Sequence, residues 1–196
     1  MQRHLLINKQ RPVHTYAELW HASHCVLQAG IANPVGSSWQ FLSSTVLTAF
    51  TFEAYLNHIG PIVFSDWKSK ERFPLWSKFK HLRKALGVTF PNGKGARPLQ
   101  TIEALFSFRD SLAHGRSVEL ASETVQSIAE FEKDHSDLVG SQLRTEWEEL
   151  IQTPAFAELV REDVEAVIRA LHEAREDNND ILFNSGFGFH SGSLIE

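Results

Sequence analysis

The stretch FRDSLAHGR, residues 108–116, brings together three side chains that can act on a phosphate ester. Arg109 carries a permanent charge on a planar fork of donors that matches phosphate oxygens. His114 titrates nearest to neutral pH, so it can take up or release a proton. Asp110 lies one helical turn before His114, where its carboxylate can orient the imidazole. These residue types at a helix end, whose terminal groups are open to a ligand, favour a functional site over a chance pairing.

The same residues also fit a purely structural arrangement. Arg109 can pair with Asp110 or with Glu53, which is an isolated acid in an apolar stretch. A histidine at the end of a helix can stabilise the last carbonyl groups without taking part in any reaction. Both interpretations are open at the level of sequence.

Two helices must position these residues. One is predicted to begin after Ser37 and to end at Gly60 and Pro61, and its apolar positions wrap most of the way around, which is typical of a central buried helix. The helix that carries the motif is predicted between Pro98 and Gly115. The motif therefore lies in the last turns of its helix, where the terminal backbone groups are open to a ligand.

Helical periodicity covers most of the chain, and no convincing alternating strand pattern is found. The prediction is an all-α fold, a single-domain bundle of about five to seven helices. The C-terminal tail combines Gly and Ser with large apolar residues, so it is either flexible or docks on a second subunit. The predicted boundaries are 1–183 for the domain and 184–196 for the tail, with further helices over 74–87, 122–134, 141–151 and 153–177.

Composition narrows the class of protein. The chain has 196 residues, of which 42% are apolar and 22% charged, as in an ordinary globular domain. The lone Cys25 cannot form an internal disulfide, and no N-terminal run resembles a secretory signal, so we expect a cytoplasmic protein. No apolar run is long enough for a membrane span, and no membrane association is expected. No cofactor is predicted. No metal site is predicted either, because HASHC, residues 21–25, lacks a second ligand pair at a known spacing.

Charge is distributed unevenly along the chain, although the net charge is only −5. Residues 66–97 hold nine Lys or Arg against two acids, whereas residues 118–196 hold five against eighteen. A basic segment can bind the phosphates of RNA, and it can also be a solvated helix face. The residues predicted to contact RNA are Lys78, Lys80, Arg83 and Lys84.

RDSLAH resembles the Arg–polar–x–x–x–His motif of the HEPN superfamily, a group of small all-helical proteins. The helix TAFTFEAYLNHI, with Glu53 and Asn57, is similar to the first core helix of HEPN domains, which often carries an acidic residue facing the motif. The resemblance covers roughly residues 38–116, or extends to 175 if the last helices complete the bundle. One difference is that Asp110 stands where these proteins frequently have Asn. The resemblance implies a metal-independent endoribonuclease, in the role of a toxin or a defence effector, with an antitoxin or another protein as partner.

The chemistry implied by the resemblance assigns a role to each residue. Arg109 would stabilise the phosphoryl charge, Asp110 would orient His114, and Glu53 would hold Arg109 from the core side. A single histidine cannot be acid and base at once, so a homodimer would supply the second copy in a composite site. The alternative is a non-catalytic HEPN-like module that binds a nucleotide, nucleic acid or partner protein on the same surface.

Overall fold

The computed structural model describes residues 4–123, 128, 143–186 and 189–195. The predicted all-α, single-domain bundle is confirmed. The helix predicted over 122–134 lies largely outside the described residues. The helices are α1 Thr15–Ala32, α2 Ser38–Val63, α3 Trp67–Lys70, α4 Leu75–Ala85, α5 Leu99–Ala113, α6 Glu146–Leu150 and α7 Ala155–Glu173, and the strands are β1 His4–Gln10 and β2 Phe189–Ile195.

Helix α2 runs through the centre of the bundle and packs against α1, α4, α5 and α7. Phe52, Tyr55, Leu56 and Ile59 are fully buried on it, as expected for a helix that is apolar on most sides. Because α2 is central, a polar residue on its one half-exposed edge faces the groove between neighbouring helices. Glu53 occupies such a half-buried position.

The predicted end of α2 at Gly60 and Pro61 is wrong, because the helix continues to Val63. A Cβ added at Gly60 would lie 2.1 Å from the ring of Trp67. The glycine therefore allows the buried Trp67 side chain to approach the α2 backbone, and it does not mark the end of the helix. Pro61 lies within the last turn of the same helix.

Helix α5 buries one face and exposes the other. Leu99, Ile102, Leu105 and Phe108 are buried on it, and α5 packs against both α2 and α7. This face follows the apolar spacing of the sequence, and the helix ends at Ala113, just before the predicted stop at Gly115. With α5 held in this orientation, Arg109 emerges one turn after Leu105, toward α2.

The chain termini form a two-stranded antiparallel sheet, in which Asn8 pairs with Ser191. The expectation of no strands is therefore wrong at both ends of the chain. Each strand is short, and its partner lies at the opposite end of the sequence, so local pattern does not reveal the pairing. Before β2, the ring of Phe183 stacks on Trp20 at 4.7 Å between centroids, which anchors the C-terminal segment to α1.

Candidate functional site

Arg109 and His114 lie at the end of α5, as the sequence predicts. His114 is the C-terminal cap residue, and its backbone N–H donates to the Asp110 carbonyl oxygen at 2.9 Å. The His114 side chain is exposed, and that of Arg109 is 31% exposed. An exposed imidazole therefore lies at the helix end, one and a half turns beyond a half-buried guanidinium.

Arg109 contacts two carboxylates. Its Nη1 donates to Asp110 Oδ1 at 2.9 Å, and its Nη2 donates to Glu53 Oε2 at the longer distance of 3.4 Å. The structure thus brings together Glu53, Asp110 and Arg109, three of the four residues predicted to be catalytic. The sequence offered Asp110 or Glu53 as the partner of Arg109 in a structural arrangement, and both contacts are present, the one with Glu53 across the interface of α2 and α5.

Glu53 is shared with a second cation. Lys78 Nζ donates to Glu53 Oε1 at 3.1 Å and to Asn57 Oδ1 at 3.1 Å. Only 4% of the Lys78 side chain is exposed, compared with 28% for Glu53. We call Arg109, Asp110, Glu53, Lys78 and Asn57 the motif network.

The position of Lys78 differs from the sequence interpretation, which placed it on an outer basic face that contacts RNA. It is buried between α4 and α2 because a charged ammonium can be buried only where a carboxylate and further acceptors satisfy it. Glu53 provides the carboxylate and Asn57 the further acceptor. Nothing in the sequence of α4 distinguishes Lys78 from its basic neighbours, since the difference arises from the facing residues on α2.

The other three residues predicted to contact RNA remain accessible. Lys80 and Lys84 are exposed and Arg83 is half-buried. No carboxylate of the described residues lies within ion-pair distance of these three side chains. Their charges are therefore available to an anionic partner.

The predicted contact between the Asp110 carboxylate and the His114 imidazole is not formed among the described residues. The carboxylate accepts from Arg109, and its residue contacts His114 only through the backbone bond of the helix end. The charge on Asp110 consequently acts on Arg109 in this arrangement.

A cleft of about 350 Å³ opens beside the motif network and was not foreseen from the sequence. It is lined by residues around the start of α1, His14 and Tyr16 among them, and by Asn57 and His58 of α2. The two segments are distant in sequence, and histidines in isolation carry no recognisable spacing. Burial, followed by the charge of His14, lowers the pKa of His58 below its ordinary value.

In the part of the chain that the structure describes, no group of three or more His, Cys, Asp or Glu side chains is placed to hold a metal ion. None of the described helices combines the length and the apolar character needed to cross a membrane.

No protein-family model matches this chain, and no curated protein or solved structure is similar enough to count as a match. Function must therefore be inferred from the residues of the site and their geometry.

Proposed function

We propose that this chain is a metal-independent endoribonuclease of the HEPN type, with an active site completed by a second copy of the chain. The proposal rests on the half-buried Arg109, which lies at the same helix end as the exposed His114. Its carboxylate partner Glu53 is shared with the buried Lys78. A cation whose partners are an exposed carboxylate and a shared one can exchange them for a phosphate.

Charge balance supports this role for Arg109. Lys78 donates to Glu53 at 3.1 Å, whereas Arg109 reaches the same carboxylate only at 3.4 Å. The shorter contact and deeper burial of Lys78 make it the stronger partner of Glu53. Glu53 therefore holds Arg109 only weakly, and the guanidinium can turn from its exposed partner Asp110 to the phosphoryl oxygens, whose charge grows in the transition state.

The reaction needs two proton transfers. A base removes the proton of the 2′-hydroxyl as the 2′-oxygen attacks phosphorus, and an acid protonates the 5′-oxygen as its bond to phosphorus breaks. The products are a 2′,3′-cyclic phosphate and a 5′-hydroxyl. One His114 serves as base and the other, from a two-fold related copy, serves as acid.

The surface of α4 supports an RNA substrate. Lys80, Arg83 and Lys84 carry charges that no described carboxylate neutralises, and α4 is joined to the motif network through Lys78. A strand bound along this face gains affinity by releasing counterions. A toxin or defence role, a cytoplasmic location and an antitoxin or other protein partner belong to the same proposal.

A non-catalytic binding module is the second candidate, and the contact between Asp110 and Arg109 favours it. At 2.9 Å this carboxylate competes with any phosphate for the guanidinium. Such a protein would use the same surface to bind a nucleotide, nucleic acid or partner protein without cleaving a bond.

The test is incubation of the purified protein with single-stranded and looped RNA in EDTA. We expect cleavage with 2′,3′-cyclic phosphate ends and no cleavage of DNA. His114→Ala should lower the rate about 100-fold with an unchanged melting temperature, whereas His24→Ala, on exposed α1 surface, should cleave normally. Intact RNA with the wild type would favour the binding module. Equal cleavage by the His114 variant would reveal a contaminating nuclease.

Light scattering coupled to size-exclusion chromatography tests the composite site. A homodimer is expected, with an interface that includes the end of α5. A monomer at tens of micromolar that still cleaves RNA would contradict the shared-histidine mechanism.

A further inference from the structure

We propose that the cleft between α2 and the start of α1, lined by His14, Tyr16, Asn57 and His58, binds a base of single-stranded RNA next to the phosphate at Arg109. This inference rests on the proposed ribonuclease function. It adds a specificity site to that function, because a protein that reads a base beside the cut selects where it cuts.

The cleft is bordered by aromatic side chains, of which His14 and His58 are partly exposed, whereas Tyr16 is buried and packs against the ring of His58. The rings of His14 and His58 lie 5.2 Å apart at 77°, and the ring of Tyr16 lies 4.9 Å from that of His58. Aromatic side chains are the usual partners of unstacked bases in RNA-binding sites. A volume of about 350 Å³ is sufficient for a base with its ribose.

Asn57 supplies a fixed polar group at the cleft. Its Oδ1 accepts from the buried Lys78, which sets the orientation of the carboxamide and leaves the Nδ2 amide as the group that can donate to a ligand. An oriented amide can distinguish a base edge that presents an acceptor from one that presents a donor.

Both histidines can adapt to a ligand at small cost. His14 Nδ1 and His58 Nε2 are buried and have no hydrogen-bond partner among the described residues. A ligand that reaches either nitrogen would supply the missing hydrogen bond and offset the cost of an unsatisfied buried polar atom, and at His58 it would replace the 3.8 Å contact with Asp180.

The charge of the cleft favours a base over a phosphate. Burial lowers the pKa of His58, which favours the neutral form of its imidazole. The nearest acid, Asp180, has an oxygen 3.8 Å from His58 Nε2 and pairs with the buried Arg175. A neutral ring beside a carboxylate offers little attraction to a dianion, whereas it can stack on and hydrogen-bond to an uncharged heterocycle.

The cleft also lies at a suitable place relative to the motif. Asn57 is connected to Arg109 through Lys78 and Glu53 by three successive contacts of 3.1, 3.1 and 3.4 Å. A strand whose phosphate rests on Arg109 can therefore place a neighbouring base against Asn57 and the histidines.

Binding is tested by NMR with AMP, CMP, GMP and UMP added separately to the full chain, following the ring protons of its histidines. At least one nucleotide should shift the signals of His14 and His58 and leave the exposed His24 unchanged. Inorganic phosphate should shift neither. Shifts that are absent for all four nucleotides, or that phosphate reproduces, would overturn the assignment.

Specificity is tested by sequencing the cut sites in a random RNA pool. The wild type should favour one base at a fixed position beside the cut. His58→Phe, which retains a ring to pack on Tyr16 but removes the ring nitrogens, should reduce that preference about 3- to 10-fold, the value of one hydrogen bond. His24→Phe should retain it.

An undiminished preference in His58→Phe and Asn57→Ala would contradict the cleft while leaving the ribonuclease function standing. If no RNA is cleaved by the wild type, the proposed ribonuclease function fails, and the NMR titration alone decides whether the cleft binds a base.

Discussion

Two arginines of the bundle, Arg97 and Arg109, sit in opposite electrostatic settings. Arg97 places Nε and Nη2 on the two oxygens of Asp163 at 2.8 and 2.9 Å, and Nη2 also lies 2.9 Å from Glu162. Arg109 has one close contact, to Asp110, and one long contact, to a carboxylate that Lys78 also uses. One cation thus faces two acids at Arg97, whereas two cations and two acids meet around Arg109.

The difference separates an arginine that is fixed by its partners from the arginine to which we assign a function. Asp163 is 7% exposed and depends on Arg97 for neutralisation. The hydrogen bonds that Arg97 donates to Asp163, and then to Glu162, raise the pKa of Arg97. This bidentate pair joins the segment before α5 to α7. Glu53, in contrast, would still contact Lys78 if Arg109 turned toward a ligand, so Arg109 is the arginine that can exchange partners.

The largest effect is expected for Arg109→Ala on catalysis. Removal of a group that stabilises the phosphoryl charge should lower kcat/KM for RNA about 100-fold, or about 2.7 kcal/mol in the barrier. Stability should change by less than about 1 kcal/mol, because Glu53 keeps Lys78. Kinetics in EDTA and urea unfolding measure the two quantities. A stability loss as large as the catalytic loss would make Arg109 a structural residue like Arg97.

The opposite profile is expected for Arg97→Ala. The melting temperature should fall, since Asp163 would be left buried and unpaired. The loss should be smaller than for a fully buried pair because Arg97 is 47% exposed and water can reach the gap. Cleavage per folded molecule should stay at the wild-type level. If activity falls at temperatures where the variant is fully folded, Arg97 is not a purely structural residue.

The sharing of Glu53 is tested by Lys78→Met. Loss of the buried ammonium should cost about 1 to 2 kcal/mol of unfolding free energy, less than for a fully buried pair because Glu53 is 28% exposed and retains Arg109. Arg109 should then pair fully with Glu53, which raises KM for RNA. The double variant Glu53→Gln/Lys78→Met should restore KM, whereas a KM that stays high would show that Lys78 acts on RNA by another route.

Much of this site follows from local sequence signals. The apolar spacing of α5 and the glycine at 115 locate the motif at a helix end, whereas the contact between Glu53 and Arg109 is expected from the family resemblance and not from a local signal. The first two features depend on periodicity and on helix termination, which are properties of neighbouring residues. The buried stripe of α7, with Val164 and Ile168 fully buried, follows in the same way.

The remaining features depend on contacts between distant segments. In the sequence Gly60 indicates a helix end, but in the structure it makes room for the ring of Trp67. In the sequence Lys78 resembles a surface lysine, but in the structure it contacts Glu53 and Asn57. The pairing of β1 with β2 joins the two ends of the described chain. The cleft at His14 and His58 joins the start of α1 to α2.

The smallest effect, and the finest test of the comparison, concerns Asp110→Asn. The pair between Arg109 and Asp110 is exposed, with 57% of the Asp110 side chain accessible, so its loss should change stability by less than about 0.5 kcal/mol. If Asp110 mainly screens Arg109, the neutral variant should bind RNA a few-fold more tightly, and the gain should shrink at high salt. If Asp110 instead orients His114 during the reaction, kcat should fall with RNA affinity unchanged.

Fluorescence titration of a short RNA on the His114→Ala background measures affinity alone, and single-turnover cleavage by Asp110→Asn measures the rate. A drop in rate without tighter binding would show that Asp110 orients the His114 imidazole, as its spacing predicts. It would also show that Asp110 leaves Arg109 when substrate binds.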